Sequence, residues 1–188
     1  MRDQLVTVSR RIAAALRAIK QSHSEISETL KSKLPDSFLW PLAVILASWD
    51  LSRQEKNRAA LNRLLGPGGV PAMWVYLDIF SAQLNPISES LAKNQDPAYL
   101  AAVVNEAIKG IGLRTIGEVL KSQQFRSAAR FVNSQIPERA AIATNKPTAP
   151  QVIASTEDPE LINLALQYLI FLGYSTTEAS NYVAGKKA

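Results

Sequence analysis

Residues 2–34 read RDQLVTVSRRIAAALRAIKQSHSEISETLKSKL, and the periodicity of this stretch sets the fold. Leu5, Val8, Ile12, Leu16, Ile19, Ile26 and Leu30 fall on one stripe of a helix, as side chains three, four and seven apart do. Arg2, Arg10, Arg17, Lys20 and Lys31 lie on an arc beside the stripe, which reads either as a rail for a phosphate backbone or as an ordinary solvated face. Such a helix would run about 45 Å. Leu34-Pro35 closes it, because the residue before a proline is pushed out of the α region. His23 falls on the apolar stripe and is expected to be partly buried.

The remainder also reads helical, with no period-two alternation of strand length. LAVILASW, following Pro41, is apolar on nearly every side and predicts a buried helix that starts near the proline. Ser52-x-x-Glu55 has the capping-box spacing for a helix carrying Arg53, Lys56, Arg58 and Arg63 to Leu65. GPGG at 66–69 is a break. Pro71 suits a first helical turn, predicting a central core helix from Pro71 to Leu84. Asn85-Pro86 and Asp96-Pro97 mark further starts. Thr115-x-x-Glu118 predicts a helix that reaches about Ser134. Residues 135–158 carry three prolines and no stripe, and read as an extended arm or linker. Asp158-Pro159 opens a last unit, residues 159–188, with a helical hairpin capped by Ser175-x-x-Glu178. The expectation is an all-α protein: a basic N-terminal helix (1–34), a helical core (35–134), an arm (135–158) and a C-terminal hairpin (159–188).

Composition narrows the chemistry. The 188 residues contain no cysteine and one histidine, which excludes disulfides, thiolate nucleophiles and Cys- or His-rich metal sites. No phosphate-binding loop, dinucleotide fingerprint or nucleophile elbow is present. Glu157, Asp158 and Glu160 read as a helix N-terminus complementing its dipole. No catalytic residue, metal or cofactor is therefore expected. The most apolar run, residues 38–49, is too short for a membrane span and holds Pro41. The N-terminus is too polar for a signal peptide. The 21 basic residues against 16 acidic ones favour a polyanionic partner. Six basic and two acidic residues fall within 109–139, whereas 151–188 holds two and four.

Residues 107–120, AIKGIGLRTIGEVL, resemble a helix-hairpin-helix motif, in which glycines admit a phosphate and the second helix binds it with backbone N–H groups. The resemblance implies Gly110, Gly112 and the amide of Arg114 as phosphate ligands. Lys109, Ile116 and Gly117 depart from that pattern. Residues 161–183, LINLALQYLIFLGYSTTEASNYV, resemble the first two helices of a ubiquitin-associated (UBA) type fold, in particular the C-terminal domain of the Holliday-junction protein RuvA. Neither a third helix after these two nor a β-barrel ahead of the hairpin motif is expected from this sequence, and both absences are departures from the RuvA pattern.

The leading expectation is a structural protein of a virion or the cytoplasm, a coat or nucleocapsid protein. It would self-assemble and package DNA or RNA by sequence-independent phosphate contacts. The candidate nucleic-acid-binding residues are Arg10, Arg17, Lys20, Gly110, Gly112, Arg114, Lys121, Arg126 and Arg130. The alternative is a helix-hairpin-helix DNA-binding adaptor with a partner-binding, UBA-like C-terminus.

Overall fold

The computed structural model describes residues 1–138 apart from His23, and beyond them only Leu166, residues 175–177 and Ser180. The chain divides into two compact units, Met1–Gln135 and Ile136–Ala188. The expected arm lies outside the described residues from 139 onward, and so does the C-terminal hairpin apart from those scattered positions. His23 lies outside them too.

Among the described residues the protein is all-α, with no strand. The first unit holds nine helices: α1 (Arg2–Gln21), α2 (Glu25–Lys33), α3 (Asp36–Ser52), α4 (Glu55–Leu65), α5 (Val70–Ile79), α6 (Ser81–Ala92), α7 (Pro97–Ile111), α8 (Leu113–Lys121) and α9 (Gln123–Gln135). A 3-10 turn over Gly66–Gly68 joins α4 to α5.

The N-terminal stripe occupies two helices where one was expected. Two serines cause the break. Ser22 Oγ donates to the Ile19 carbonyl (2.7 Å), and Ser24 caps α2 by accepting from the Ser27 amide (3.1 Å). Short hydroxyl side chains compete for backbone groups in this way and favour helix ends. Ser27 Oγ then reaches back to the Lys20 carbonyl at 2.8 Å, latching the start of α2 onto the end of α1.

Nor does α1 stand apart as an exposed helix. It packs between α3 and α7, and its buried side chains (Leu5, Val6, Ser9, Ile12, Ala13, Ala15, Leu16 and Ile19) cover two faces. The central helix is α3, which touches α1 on one side and α4, α5 and α9 on others. It starts at Asp36, ahead of the expected site, and holds Pro41 buried within it. Phe38 meets Phe125 of α9 edge-on, with ring centroids 5.4 Å apart.

Residues 71–84 form parts of two helices, because the chain turns at Phe80 (φ −102°, ψ 19°). Asn85-Pro86 lies inside α6 and starts nothing. Met73 and Trp74 are buried as expected of a core helix, but Val75 and Ile79 are 66% and 70% exposed. Two indole N–H groups seat α5 on α3: Trp74 Nε1 donates to Ser48 Oγ (2.9 Å), and Trp49 Nε1 to Asp78 Oδ1 (2.7 Å). Asp96 behaves as expected, its carboxylate accepting from the Ala98 and Tyr99 amides at 3.0 Å to start α7.

Candidate nucleic-acid interface

The cations of α1 and those of α8 and α9 have different fates. On α1, three of them satisfy carbonyls at the C-terminal ends of other helices. Arg11 donates from Nη1 to the Leu91 carbonyl in the last turn of α6 and from Nη2 to the Gln95 carbonyl just beyond it, both at 3.0 Å. Lys20 donates to the Leu34 carbonyl at the end of α2 (2.8 Å) and to Asp36 Oδ1 (2.5 Å). Arg2 reaches the carbonyl of Gln135, which ends α9, at 3.0 Å. A helix end presents unpaired carbonyls and a partial negative charge, so a cation there supplies both a donor and a favourable field.

Of the three α1 residues expected at an interface, Lys20 is therefore committed to the fold, with its side chain only 13% exposed. Arg10 and Arg17 are half-buried. The hydrogen bond from Lys20, followed by its charge, holds the Asp36 carboxyl below the usual range; partial desolvation opposes this and the Arg17 charge adds to it.

On α8 and α9 the cations face water. Arg114, Lys121, Arg126 and Arg130 are all exposed. Helix α8 buries Gly117 and Leu120 against its neighbours, which turns Arg114, Glu118 and Lys121 outward. Helix α9 buries Phe125, Ala128, Ala129 and Val132, leaving Arg126 and Arg130 one turn apart on the free side. A single residue joins the two helices: Ser122 Oγ accepts from the Phe125 amide (3.2 Å) and donates to the Val119 carbonyl (2.7 Å). This break replaces the continuous helix expected to reach Ser134. Thr115 lies within α8, so no capping box forms there. Glu118 instead pairs with Arg114 at 3.2 Å on the open surface, a contact worth little in water.

Lys33, at the end of α2, joins this region through Gly117. A Cβ on Gly117 would come 3.2 Å from Lys33 Cδ, so the missing side chain lets the lysine stem lie across α8. Nothing in the sequence links two positions so far apart. Glu118 is the sole acid on α8 and α9.

Gly110 and Gly112 form a helix end. Gly110 belongs to α7, and a Cβ there would meet Gln83 Cγ of α6 at 3.0 Å. Gly112 takes φ 89°, ψ 134°, a conformation that side chains with a Cβ rarely adopt. Its N–H donates to the Ile108 carbonyl (3.0 Å) and its carbonyl accepts from Ile116 (3.1 Å). The Gly112 N–H is thus used within the chain, whereas the Arg114 amide, which the hairpin resemblance assigns to phosphate, lies in the first turn of α8.

No family model, curated protein or solved structure matches this chain. Among the described residues no cluster of three His, Cys, Asp or Glu side chains could hold a metal ion. Among the same residues no helix is long and apolar enough to cross a membrane.

Proposed function

We propose that this chain is a structural, self-assembling nucleic-acid-packaging protein of the viral coat or nucleocapsid kind, working in the virion or the cytoplasm. The observation that carries the reading is the set of open cations on α8 and α9, Arg114, Lys121, Arg126 and Arg130, with one carboxylate among them. Lys33 extends the set. Flexible cations without a shaped pocket suit phosphates, whose contacts position a nucleic acid without reading its sequence. Self-assembly draws support from α5, where Val75, Tyr76 and Ile79 stand 66%, 45% and 70% exposed along one helix. A row of large apolar side chains in water is suited to cover by a second copy of the chain.

The adaptor reading keeps one supporting observation, the one-residue corner at Gly112, which leaves the first-turn amides of α8 unpaired within the helix. One experiment separates the two. Binding to single-stranded RNA, duplex DNA and a four-way DNA junction is measured across a salt series, and the same samples are imaged by electron microscopy with and without nuclease. Packaging predicts particles or filaments, similar affinities for all three, and a log–log salt slope of about 0.7–0.9 per phosphate contact. A monodisperse protein that prefers the junction would replace this reading with the adaptor. Absence of binding at about 50 mM salt would sink both.

A further inference from the structure

We propose that the pocket between α5 and α8 receives one unstacked base of a single-stranded nucleic acid, with the Tyr76 ring as its stacking face and Arg114 and Lys121 on the flanking phosphates. The inference rests on the nucleic-acid reading above and names the form of ligand that the site can hold by more than its charge. The pocket has a volume of about 240 Å³ and is lined by Met73 and Tyr76 of α5, by Thr115, Glu118 and Val119 of α8, and by Ser122 just beyond. An apolar cavity of about 150 Å³ is enough for benzene, so this space takes the ring of one base with its substituents. Tyr76 and Glu118, both exposed, mark its open side.

The walls match a flat ring with a polar edge. Met73, Tyr76 and Val119 present a thioether, an aromatic face and an isopropyl group, all favourable against the face of a planar ring. Thr115 and Glu118 present polar atoms toward an edge, whereas the Ser122 hydroxyl is spent on Phe125 and Val119. Tyr76 is 45% exposed, so a ligand reaches its ring from solvent. On α5 it shares the pocket side with Met73, one turn earlier. Val75 and Ile79, one turn apart from each other, form a separate row that stays open to a second copy of the chain. Because every base has a π face, stacking here keeps the binding indifferent to sequence.

Cations stand at both ends of the α8 wall. Arg114 precedes Thr115 and Lys121 precedes Ser122, and both are exposed. Seven residues of helix separate them by about 10 Å along the axis. Their flexible side chains can therefore reach phosphates on either side of a base held between them. Glu118 is the carboxylate on that wall, and its contact with Arg114 at 3.2 Å offsets its charge. A duplex cannot use the pocket, because its bases are paired and stacked inside the helix. It carries denser charge, however, and gains more from each phosphate contact. These opposing effects leave the affinities for single and double strands similar, so the pocket shows itself in a variant.

The test titrates the full chain, Tyr76→Leu and Tyr76→Phe with a short single-stranded RNA and with a DNA duplex of the same length, at about 50 mM salt and upward. A fluorescent adenine analogue in mid-strand of the RNA reports stacking. Tyr76→Leu keeps an apolar side chain and removes the π face. It should weaken RNA binding about fivefold or more and abolish quenching of the analogue, with duplex affinity and the salt slope unchanged. Tyr76→Phe should bind and quench as the unaltered protein does. If both ligands bind with the expected salt slope while Tyr76→Leu changes neither RNA affinity nor quenching, the pocket assignment falls and the packaging reading stands. Equal losses for RNA and duplex would also overturn it, since they would mark damage to the fold or the assembly. Binding to neither ligand by the unaltered protein would overturn both readings.

Discussion

Helix α1 and the α8–α9 pair carry similar numbers of cations, yet the fold absorbs the first set and leaves the second in water. The difference lies in how many neighbours each helix has. Helix α1 is packed between α3 and α7, so its flanking arginines and lysines emerge beside the ends of other helices. There Arg11, Lys20 and Arg2 find the C-terminal carbonyls of α6, α2 and α9. Helices α8 and α9 each bury one face, and Arg114, Lys121, Arg126 and Arg130 on them are exposed. A basic stripe in a sequence thus means structural capping on a helix enclosed on two sides and a possible ligand surface on one enclosed on one side.

The sharpest way to break this comparison is to neutralise Arg114, Lys121, Arg126 and Arg130 together by alanine. Nucleic-acid affinity at low salt should fall about a hundredfold and the salt slope by about three units or more. Unfolding free energy should stay within about 0.5 kcal/mol per site, as exposed substitutions do. A salt titration and a urea melt on one preparation check both halves. The converse variant is Arg11→Met. It should cost about 2–3 kcal/mol, because two charge-assisted hydrogen bonds to α6 and the following loop are lost. The salt slope should not move. Should Arg11→Met lower the slope and spare stability, the division between structural and ligand-facing cations collapses.

Gly112→Ala sharpens the comparison at the corner between the helices. The positive φ makes the substitution cost about 1–3 kcal/mol of stability. Since the Gly112 N–H is spent on Ile108, the salt slope should match that of the unaltered protein. The smallest expected effect is acidic. Asp36 is held below its usual pKa by Lys20, so the stabilisation from this pair is complete at neutral pH and is lost as pH falls through the lowered pKa, under about pH 4. Thermal midpoints at pH 7 and pH 3 should therefore differ more in the unaltered protein than in Lys20→Met.

Much of the helical layout is legible in the sequence where the signal is local. Leu34-Pro35 ends α2, GPGG separates α4 from α5, and Asp96-Pro97 starts α7, each through the geometry of two or three adjacent residues. Signals that depend on surroundings mislead. Pro86 sits inside α6 at an exposed position, where water can satisfy the carbonyl that the proline cannot serve. Ser52-x-x-Glu55 has capping-box spacing, yet Ser52 is buried at the end of α3 and donates to the Trp49 carbonyl (2.8 Å). Thr115-x-x-Glu118 fails for a similar reason, because Gly112 has already turned the chain.

The sequence by itself determined that the described chain is helical, that disulfide, thiolate and Cys- or His-rich metal chemistry is out of reach, and where the strongest breaks fall. These follow from apolar spacing, residue inventory and backbone restriction, all properties of short stretches of chain. Tertiary structure alone decided which apolar and charged residues stay available. Helices α3 and α5 are both almost wholly apolar, but α3 is surrounded whereas α5 leaves Val75 and Ile79 in water. Lys20 and Lys121 are the same residue type at the ends of basic helices. One is drawn to Leu34 and Asp36, and the other stands exposed, because burial and pairing depend on neighbours brought from distant positions in the chain.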